Sequence, residues 1–455
     1  MTDTGALLLR DVTLLGGPPS QRTDVRLAHG TIVALGALSR LPGEPVLDGA
    51  GAALSVGLAD HHLHLLAMAA AADSLDLHPA AVPGRAAACA ALAGATPDGA
   101  GWIRAVGYAE QGGRLALADL DRLHPTIPVR IQHRSGALWL LNSAGLRAAG
   151  LADDAPSGEL WREDARLAER LPEGSPPDLA RIGRELAATG ITAVTDATPD
   201  LSARSQRLLT DAVSDGRLPQ RVLLLGGQPN ALTERITLGP LKILPADHEP
   251  PNLDWMRTRV GEARESGRTV AVHCVTREAL AVTIAVLDEM GAYAGDRIEH
   301  ASLVDPDAMA ELARLGLTVV TQPGFIADRG DHYRRELASE TGDLYRVASL
   351  RAAGVAVACS SDAPYGPADP WAVMRAAAER RTPGGEVLGP GERIDVLAAL
   401  RGYLASPTYP GGPPRRVVVG APADLVLMHV PWPTLLAAPH RELVRCTFYG
   451  GHISC

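Results

Sequence analysis

The pattern of apolar and polar positions changes twice along the chain. Near the start, short apolar runs alternate with turn residues: Ala6-Leu-Leu-Leu-Arg10, Asp24-Val-Arg-Leu27, Gly30-Thr-Ile-Val-Ala-Leu-Gly36 and Pro45-Val-Leu-Asp48. Runs of this length bounded by Gly, Pro, Asp and Ser predict strands joined by turns. The same pattern returns near the other end, in Arg416-Val-Val-Val-Gly420, Ala423-Asp-Leu-Val-Leu-Met428 and Leu443-Val-Arg-Cys-Thr-Phe448. Residues 1-55 and 406-455 are therefore expected to pair into one small β-sandwich domain.

Across residues 56-405, short apolar strands are separated by stretches with helical periodicity. The expected strands are Leu58 to His64, Ile191 to Ala197, Arg221 to Gly226, Gly239 to Leu244, Val270 to Val275, Arg297 to Ser302, Thr318 to Pro323 and Val355 to Asp362. With helices such as Leu253 to Ser266 and Pro306 to Leu315 between them, they predict an α/β fold, a (β/α)8 TIM barrel of parallel strands. One connection, 65-190, is far longer than a crossover needs and carries two further strand candidates, Trp102 to Tyr108 and Pro128 to Gln132. Long connections of this kind tend to be functional, and this one is read as an inserted subdomain over the barrel mouth.

Composition narrows the class. The chain has 455 residues, 46% of them hydrophobic and 21% charged, with a net charge of -9 spread without blocks. That length suits one large domain with a smaller one. No basic stripe could offset phosphate charge, so nucleic acid is not an expected partner. No apolar run approaches the ~20 residues needed to cross a bilayer, and the N-terminus lacks the pattern of a secretory signal. A cytoplasmic protein acting on a small molecule is the expectation. The five cysteines, Cys89, Cys274, Cys359, Cys446 and Cys455, are scattered and read as reduced thiols.

The chemical clue is Lys242, the only lysine against 42 arginines. Arginine stays protonated, whereas a buried lysine can lose its proton and become a nucleophile. A position that resisted the arginine bias points to a neutral amine, as needed for a Schiff base or for a carbamate formed with CO2. The polar residues that interrupt or end the apolar strands are Asp60-His61-His62-Leu63-His64, Lys242, His273, His300 and Asp362. Active-site residues of such barrels sit at the C-terminal ends of strands. His62 and His64 are two apart and share one face of a strand, where both can grip one metal ion. His273 and His300 end consecutive strands and could meet a second ion.

On these residues the chain resembles the amidohydrolase superfamily, and within it the branch called amidohydrolase family 3 or YtcJ-like. The resemblance covers nearly the whole chain: Gly57-Leu-Ala-Asp-His-His-Leu-His64, Trp102-Ile-Arg-Ala-Val-Gly-Tyr108, Asn142-Ser-Ala-Gly-Leu146, Gly190-Ile-Thr-Ala-Val-Thr-Asp196, Gly239-Pro-Leu-Lys242, Val272-His273, Arg297-Ile-Glu-His300, Gln322-Pro323, Ser361-Asp-Ala-Pro364 and Ala421-Pro-Ala-Asp-Leu425. It implies a β-sandwich plus a metal-binding barrel. It also implies two divalent metal ions, zinc being the expected one, bridged by a CO2-derived carbamate on the lysine matching Lys242. Relatives often pair into dimers, so a homodimer is the assembly the resemblance allows. Three departures stand out. Val56 replaces a proline before strand one, Ala137 replaces a histidine ahead of the Asn-Ser pair, and Ala246-Asp247-His248 replaces an Asp-Gly after the lysine.

The expected chemistry is hydrolysis of a non-peptide C-N bond, in an amide, N-formyl compound or cyclic amide, by a metal-bound hydroxide. The metal ligands are His62, His64, Lys242, His273, His300 and Asp362, with Asp362 as the catalytic proton carrier. Asp60 is expected to hold the second nitrogen of a ligand histidine, and His61 and Cys274 to face away. Arg277, Gln322 and Arg329 are candidates for substrate binding, with Trp139 and Tyr108 as candidate pocket walls; solvated surface positions for the two arginines and core packing for the two aromatics are the competing readings. Two alternatives stand beside this. A mononuclear aminohydrolase acting on a heterocycle would lack a use for Lys242. A non-catalytic scaffold of the same fold would have lost ligands.

Overall fold

The computed structural model describes residues 5–17, 21–110, 113–172, 177–230, 232–245 and 251–454. They pack as two units: Leu66–Asp178 forms one, and the residues up to Leu65 with those from Leu179 onward form the other.

In the larger unit, Ala6–Leu14 and Arg22–Ala28 bury Leu8, Leu9, Val12, Val25 and Leu27, with the register of their pairing shifting between Leu9 and Val12. These strands belong to a sheet of eight drawn from both ends of the chain. Its order is His452–Ser454, Val444–Tyr449, Leu425–Met428, Ala53–Val56, Ala6–Leu14, Arg22–Ala28, Thr31–Gly36, with Val46–Asp48 added beside Ala6–Leu14. Ala53–Val56 lies parallel to Ala6–Leu14 on one side and antiparallel to Leu425–Met428 on the other, with Val56 opposite Leu425. The Thr31–Gly36 edge is tied back to the approach to Leu425–Met428. Ile32 N donates to Ala421 O at 2.9 Å, and Gly420 N to Ile32 O at 2.8 Å. The two ends thus form one sheet turned back on itself, not two separately laddered sheets.

Gly57 separates this sheet from the first parallel strand, Leu58–Leu63. A Cβ at Gly57 would lie 2.1 Å from Thr192 Cγ2, so the close approach of Ile191–Asp196 requires glycine there. Leu58–Leu63, Ile191–Asp196, Arg221–Leu224 and Ile236–Leu238 make one parallel sheet. Leu241–Ile243, Val270–Cys274, Arg297–His300, Thr318–Thr321 and Ala356–Cys359 make a second. Leu58–Leu63, Ile191–Asp196 and Thr318–Thr321 are buried along their whole length, as expected of parallel strands covered on both faces. Four of the intervening helices start at side-chain caps: Ser202, Asn252, Thr276 and Asp305 each accept a hydrogen bond from a backbone N–H of the first turn.

Instead of a single fourth strand from Gly239 to Leu244, the structure has two. Ile236–Leu238 runs beside Arg221–Leu224, and Leu241–Ile243 beside Val270–Cys274. Pro240 between them has no N–H to give to a ladder. Lys242 N spans this seam by donating to Leu225 O at 3.1 Å. The sheets meet again at the other side, where Asp362 N donates to His62 O and His64 N to Ala363 O, both at 2.8 Å. Among the described residues no single ladder closes; the two sheets are joined by these bonds. No described helix is long and apolar enough to cross a membrane.

The smaller unit has its own five-stranded sheet, in the order Glu159–Trp161, Leu138–Leu141, Val129–His133, Ile103–Tyr108, Leu75–Asp76. Ile103, Val129, Ile131, Leu138 and Leu140 fill one of its cores. Asn142 is fully buried and clamps the unit: its Oδ1 accepts from Val129 N at 2.9 Å and Gly145 N at 2.8 Å, and its Nδ2 donates to His124 O and Ile127 O.

Candidate metal centre

The larger unit brings the strand-end residues together. His62, His64 and Asp362 place one nitrogen or oxygen each within 4.8 Å of one another. His64 Nε2 lies 3.3 Å and His62 Nε2 3.5 Å from Asp362 Oδ1. That oxygen accepts no hydrogen bond from the described residues although it is buried. Two imidazoles aimed at one oxygen without a hydrogen bond form a donor set suited to a cation. The His300 ring is 4.8 Å from the His62 ring and 4.5 Å from the His273 ring, centre to centre. Lys242 is 3% exposed and its Nζ has no hydrogen-bond partner among the described residues. An amine left unmatched inside a protein is costly, and a further group supplied at Nζ would relieve that cost. The residues fit a metal centre on both counts.

The histidines are oriented from behind. His62 Nδ1 donates to Glu299 Oε2, His64 Nδ1 is 3.0 Å from Thr198 Oγ1, and His300 Nδ1 is 2.8 Å from Gln322 Oε1. A proton held on Nδ1 leaves the Nε2 lone pair free for a metal. Glu299 is itself held by Arg297 Nε, and Arg297 Nη2 donates to His61 O at 3.0 Å. Asp196 sets the position of Thr198: its two oxygens accept from Thr198 N and from Leu65 N. Gln322 Nε2 in turn donates to Ser360 Oγ at 2.9 Å. Two of the site residues, His300 and Asp362, have φ of 69° and 57°, a left-handed conformation that non-glycine residues seldom adopt. Such strain gathers where the surroundings over-determine a functional geometry.

Burial dominates the electrostatics. It holds the His62 imidazole well below its ordinary pKa, helped by the charge of Lys242, and takes His300 down to about 3, helped by His273. Both are neutral ligands in waiting. Burial also lowers the Lys242 amine, against the pull of Glu299 and Asp362. For Asp362, burial pushes the pKa up, but His62, His64 and His300 outweigh it and keep the carboxyl ionised.

Several expectations change. Asp60 does not touch a ligand imidazole. Its Oδ1 accepts from His62 N and Ser361 N, so it pins backbone across the seam, and Glu299 takes the role expected of it. Gln322 holds His300. Arg277 is engaged by this chain's own Asp343, Glu340 and Asp305, with Nε 3.2 Å from Glu340 Oε2. Arg329 is no solvated surface residue: it pairs with Asp328 at 3.0 Å, lies 4.2 Å over the Phe325 ring and donates to Tyr365 O. The Tyr365 ring sits 5.3 Å from that of His64. Trp139 and Tyr108 belong to the smaller unit, where they are packed and bonded: Trp139 Nε1 donates to Asp164, and the Tyr108 hydroxyl accepts from Leu115 N. His61 is buried with Nε2 on Gly402 O at 2.9 Å, and Cys274 is buried with Sγ 3.4 Å from Thr283 Oγ1. Ala246-Asp247-His248 lies outside the described residues.

Glu299, Arg297 and Thr198 were given no role from sequence. Glu299 and Arg297 sit inside the Arg-Ile-Glu-His segment, where two buried charges on a four-residue strand were the available signal. Thr198 left none.

Comparison with known proteins agrees with this geometry. A family model described as "Amidohydrolase family" matches residues 46–454. The chain is 25% identical over 448 residues to an N-substituted formamide deformylase of Arthrobacter pascens, covering 82% of each. Among solved structures, an uncharacterized metal-dependent hydrolase from Pyrococcus horikoshii superposes with a TM-score of 0.72 at 19% identity, over 99% of this chain and 100% of that one. A Xaa-Pro dipeptidase with bound methionine in its active site superposes at 0.57 with 14% identity, over 99% of each chain.

Proposed function

This chain belongs to the amidohydrolase family, in its family 3 branch, and from that premise we propose that it hydrolyses a non-peptide C-N bond of a small amide, N-substituted formamides being the first class to test. The observation that carries the reading is the convergence of His62, His64 and Asp362 beside an unmatched, buried Lys242. In this proposal His62, His64, Lys242, His273, His300 and Asp362 hold two divalent ions, with Lys242 carrying a carbamate formed from CO2. Neutral imidazoles with oxygen donors suit zinc. The two parallel sheets, joined at their seams, act as a closed barrel in which Ile236–Leu238 and Leu241–Ile243 share the fourth of eight strand positions, and the chain-end sheet acts as its sandwich.

When bound, such ions polarise a carbonyl and bring the pKa of water to about 7. The remaining work falls to the side chains. Asp362, kept ionised by its histidines, takes the proton of the attacking water at Oδ1 and returns it to the leaving nitrogen. Glu299, Thr198 and Gln322 keep the imidazoles in one tautomer and one orientation throughout. Arg329 is the candidate for shaping the substrate end of the site, through Tyr365 and its ring against His64. Arg277 has its guanidinium engaged by Asp343, Glu340 and Asp305 and is left out of this proposal, as are Trp139 and Tyr108, which pack within the cores of the smaller unit.

A mononuclear aminohydrolase is the second reading. It is favoured by the fact that His62, His64 and Asp362 are the group whose donor atoms gather most closely among the described residues. Elemental mass spectrometry of the purified protein separates the two. Two metals per chain, falling to one or none in both Lys242→Ala and Lys242→Arg, supports the two-ion amidase. One metal, unaffected by either substitution, moves the assignment to the aminohydrolase. Release of formate and amine from N-substituted formamides tests the substrate class directly.

A further inference from the structure

Away from the metal centre, a cavity of about 530 Å³ lies between the chain-end sheet and the segment 414–418. Its volume falls within the range of small-molecule sites, about 300–1,000 Å³. Leu14, Leu35, Arg401, Arg415 and Arg416 are among the residues lining it; none of the described lining residues is acidic. In a protein of net charge -9, three guanidinium groups without an acid among them are a local reversal of sign. Arg401 and Arg416 make no ion pair or side-chain hydrogen bond with the described residues. Arg415 is held in place by carbonyls alone: its Nε faces Leu404 O at 3.1 Å and Ala405 O at 3.3 Å, and its Nη2 donates to Gly57 O at 2.7 Å. Carbonyl oxygens satisfy the N–H groups but leave the charge itself unneutralised. Burial brings the Arg415 pKa down to about 10 although Asp424 pulls it upward.

We propose that this cavity is a second small-molecule site, for an amphipathic monoanion with a carboxylate at the arginines and a short aliphatic body along Leu14 and Leu35. A planar guanidinium fork matches a carboxylate in both charge and shape, and the leucines provide an apolar surface for a chain of a few methylenes. A dication or a polyanion is a poorer match, because one meets only positive charge and the other an apolar wall. The site abuts the strand that ends in the metal ligands. Arg415 holds the carbonyl of Gly57, the residue before Leu58–Leu63, and Arg401 lies on Val396–Tyr403, whose Gly402 carbonyl is bonded to His61.

The test is isothermal titration calorimetry of the metal-loaded protein with octanoate as the probe, beside 1-octanol and octylamine. Octanoate is expected to bind saturably at one site, with no comparable binding of the other two. The double variant Arg401→Glu, Arg416→Glu should weaken octanoate by at least tenfold, about 1.4 kcal/mol, with unchanged metal content and circular dichroism. Leu35→Phe, which fills the apolar end, serves as a second variant and should also weaken it. No saturable binding of octanoate, equal binding of 1-octanol, or an affinity that neither variant alters would overturn the proposal. Unaltered affinity would place the carboxylate elsewhere, for example at the metal ligands.

Discussion

The strands that carry His62 and Lys242 are built on opposite terms. Leu58–Leu63 is six residues long, buried throughout and bonded on both sides, to Ile191–Asp196 and through His62 O and His64 N to the Asp362-Ala363 segment. Glu299 holds the His62 ring and Thr198 the His64 ring. Leu241–Ile243 has three residues, begins just after Pro240 and presents a lysine whose amine meets no partner among the described residues. One region is finished by the polypeptide and the other is left for something else to finish. The contrast teaches that the imidazoles are held in one orientation by neighbouring side chains, whereas the lysine amine is left without a hydrogen-bond partner among the described residues.

The largest effect should come from the residue that bridges the two regions. Asp362→Asn is expected to cut turnover by about 10²–10⁴-fold, the usual span for a proton-transferring group, while most of the bound metal remains; full activity in this variant would remove Asp362 from the mechanism. Next is Glu299→Gln, which deprives both the His62 ring and the buried Arg297 of their anion. Breaking a buried charge pair from one side costs about 3–5 kcal/mol, and loss of a ligand's hydrogen-bond acceptor about 10–100-fold in metal affinity. Chemical denaturation and a metal-chelator competition read these separately. A smaller change is expected for Thr198→Val, near tenfold in metal affinity with stability altered by about 1 kcal/mol; an effect as large as that of Glu299→Gln would erase the distinction between a charged and a neutral support. Least affected should be the thermal stability of Lys242→Met in metal-free protein, since an apolar side chain of similar shape removes an unmatched amine. A melting temperature well below that of the metal-free wild type would mean that Lys242 has a structural partner and is not held in reserve.

Much of this was legible in the amino-acid order. Strand positions in the parallel region followed from apolar runs ending in polar residues, and the ligand candidates followed from their types at those ends. The split fourth strand was not, because Ile236–Leu238 is too short to show a period and its significance lies in which neighbour each half pairs with. Leu138–Leu141 hid for another reason: a wholly apolar run of four has no alternation to read. The supports of the histidines were the least visible. Nothing local distinguishes the hydroxyl of Thr198 from any other threonine, and Asp60 looked the better acceptor because it is near His62 in sequence, while Glu299 is near it only in space.

The pairing of Val56 with Leu425 has a consequence for biosynthesis. The strand that leads directly into His62 and His64 finds its antiparallel neighbour far later in the chain. Until the later segments emerge from the ribosome, Ala53–Val56 has one open edge and Gly57 has no Arg415 on its carbonyl. His62 and His64 are made well before Leu425, and the strand leading into them gains this neighbour only once Leu425–Met428 has been made. With the proposed ligand set, a nascent chain stalled before Leu425 is expected to take up metal weakly even though each of those residues has already been made.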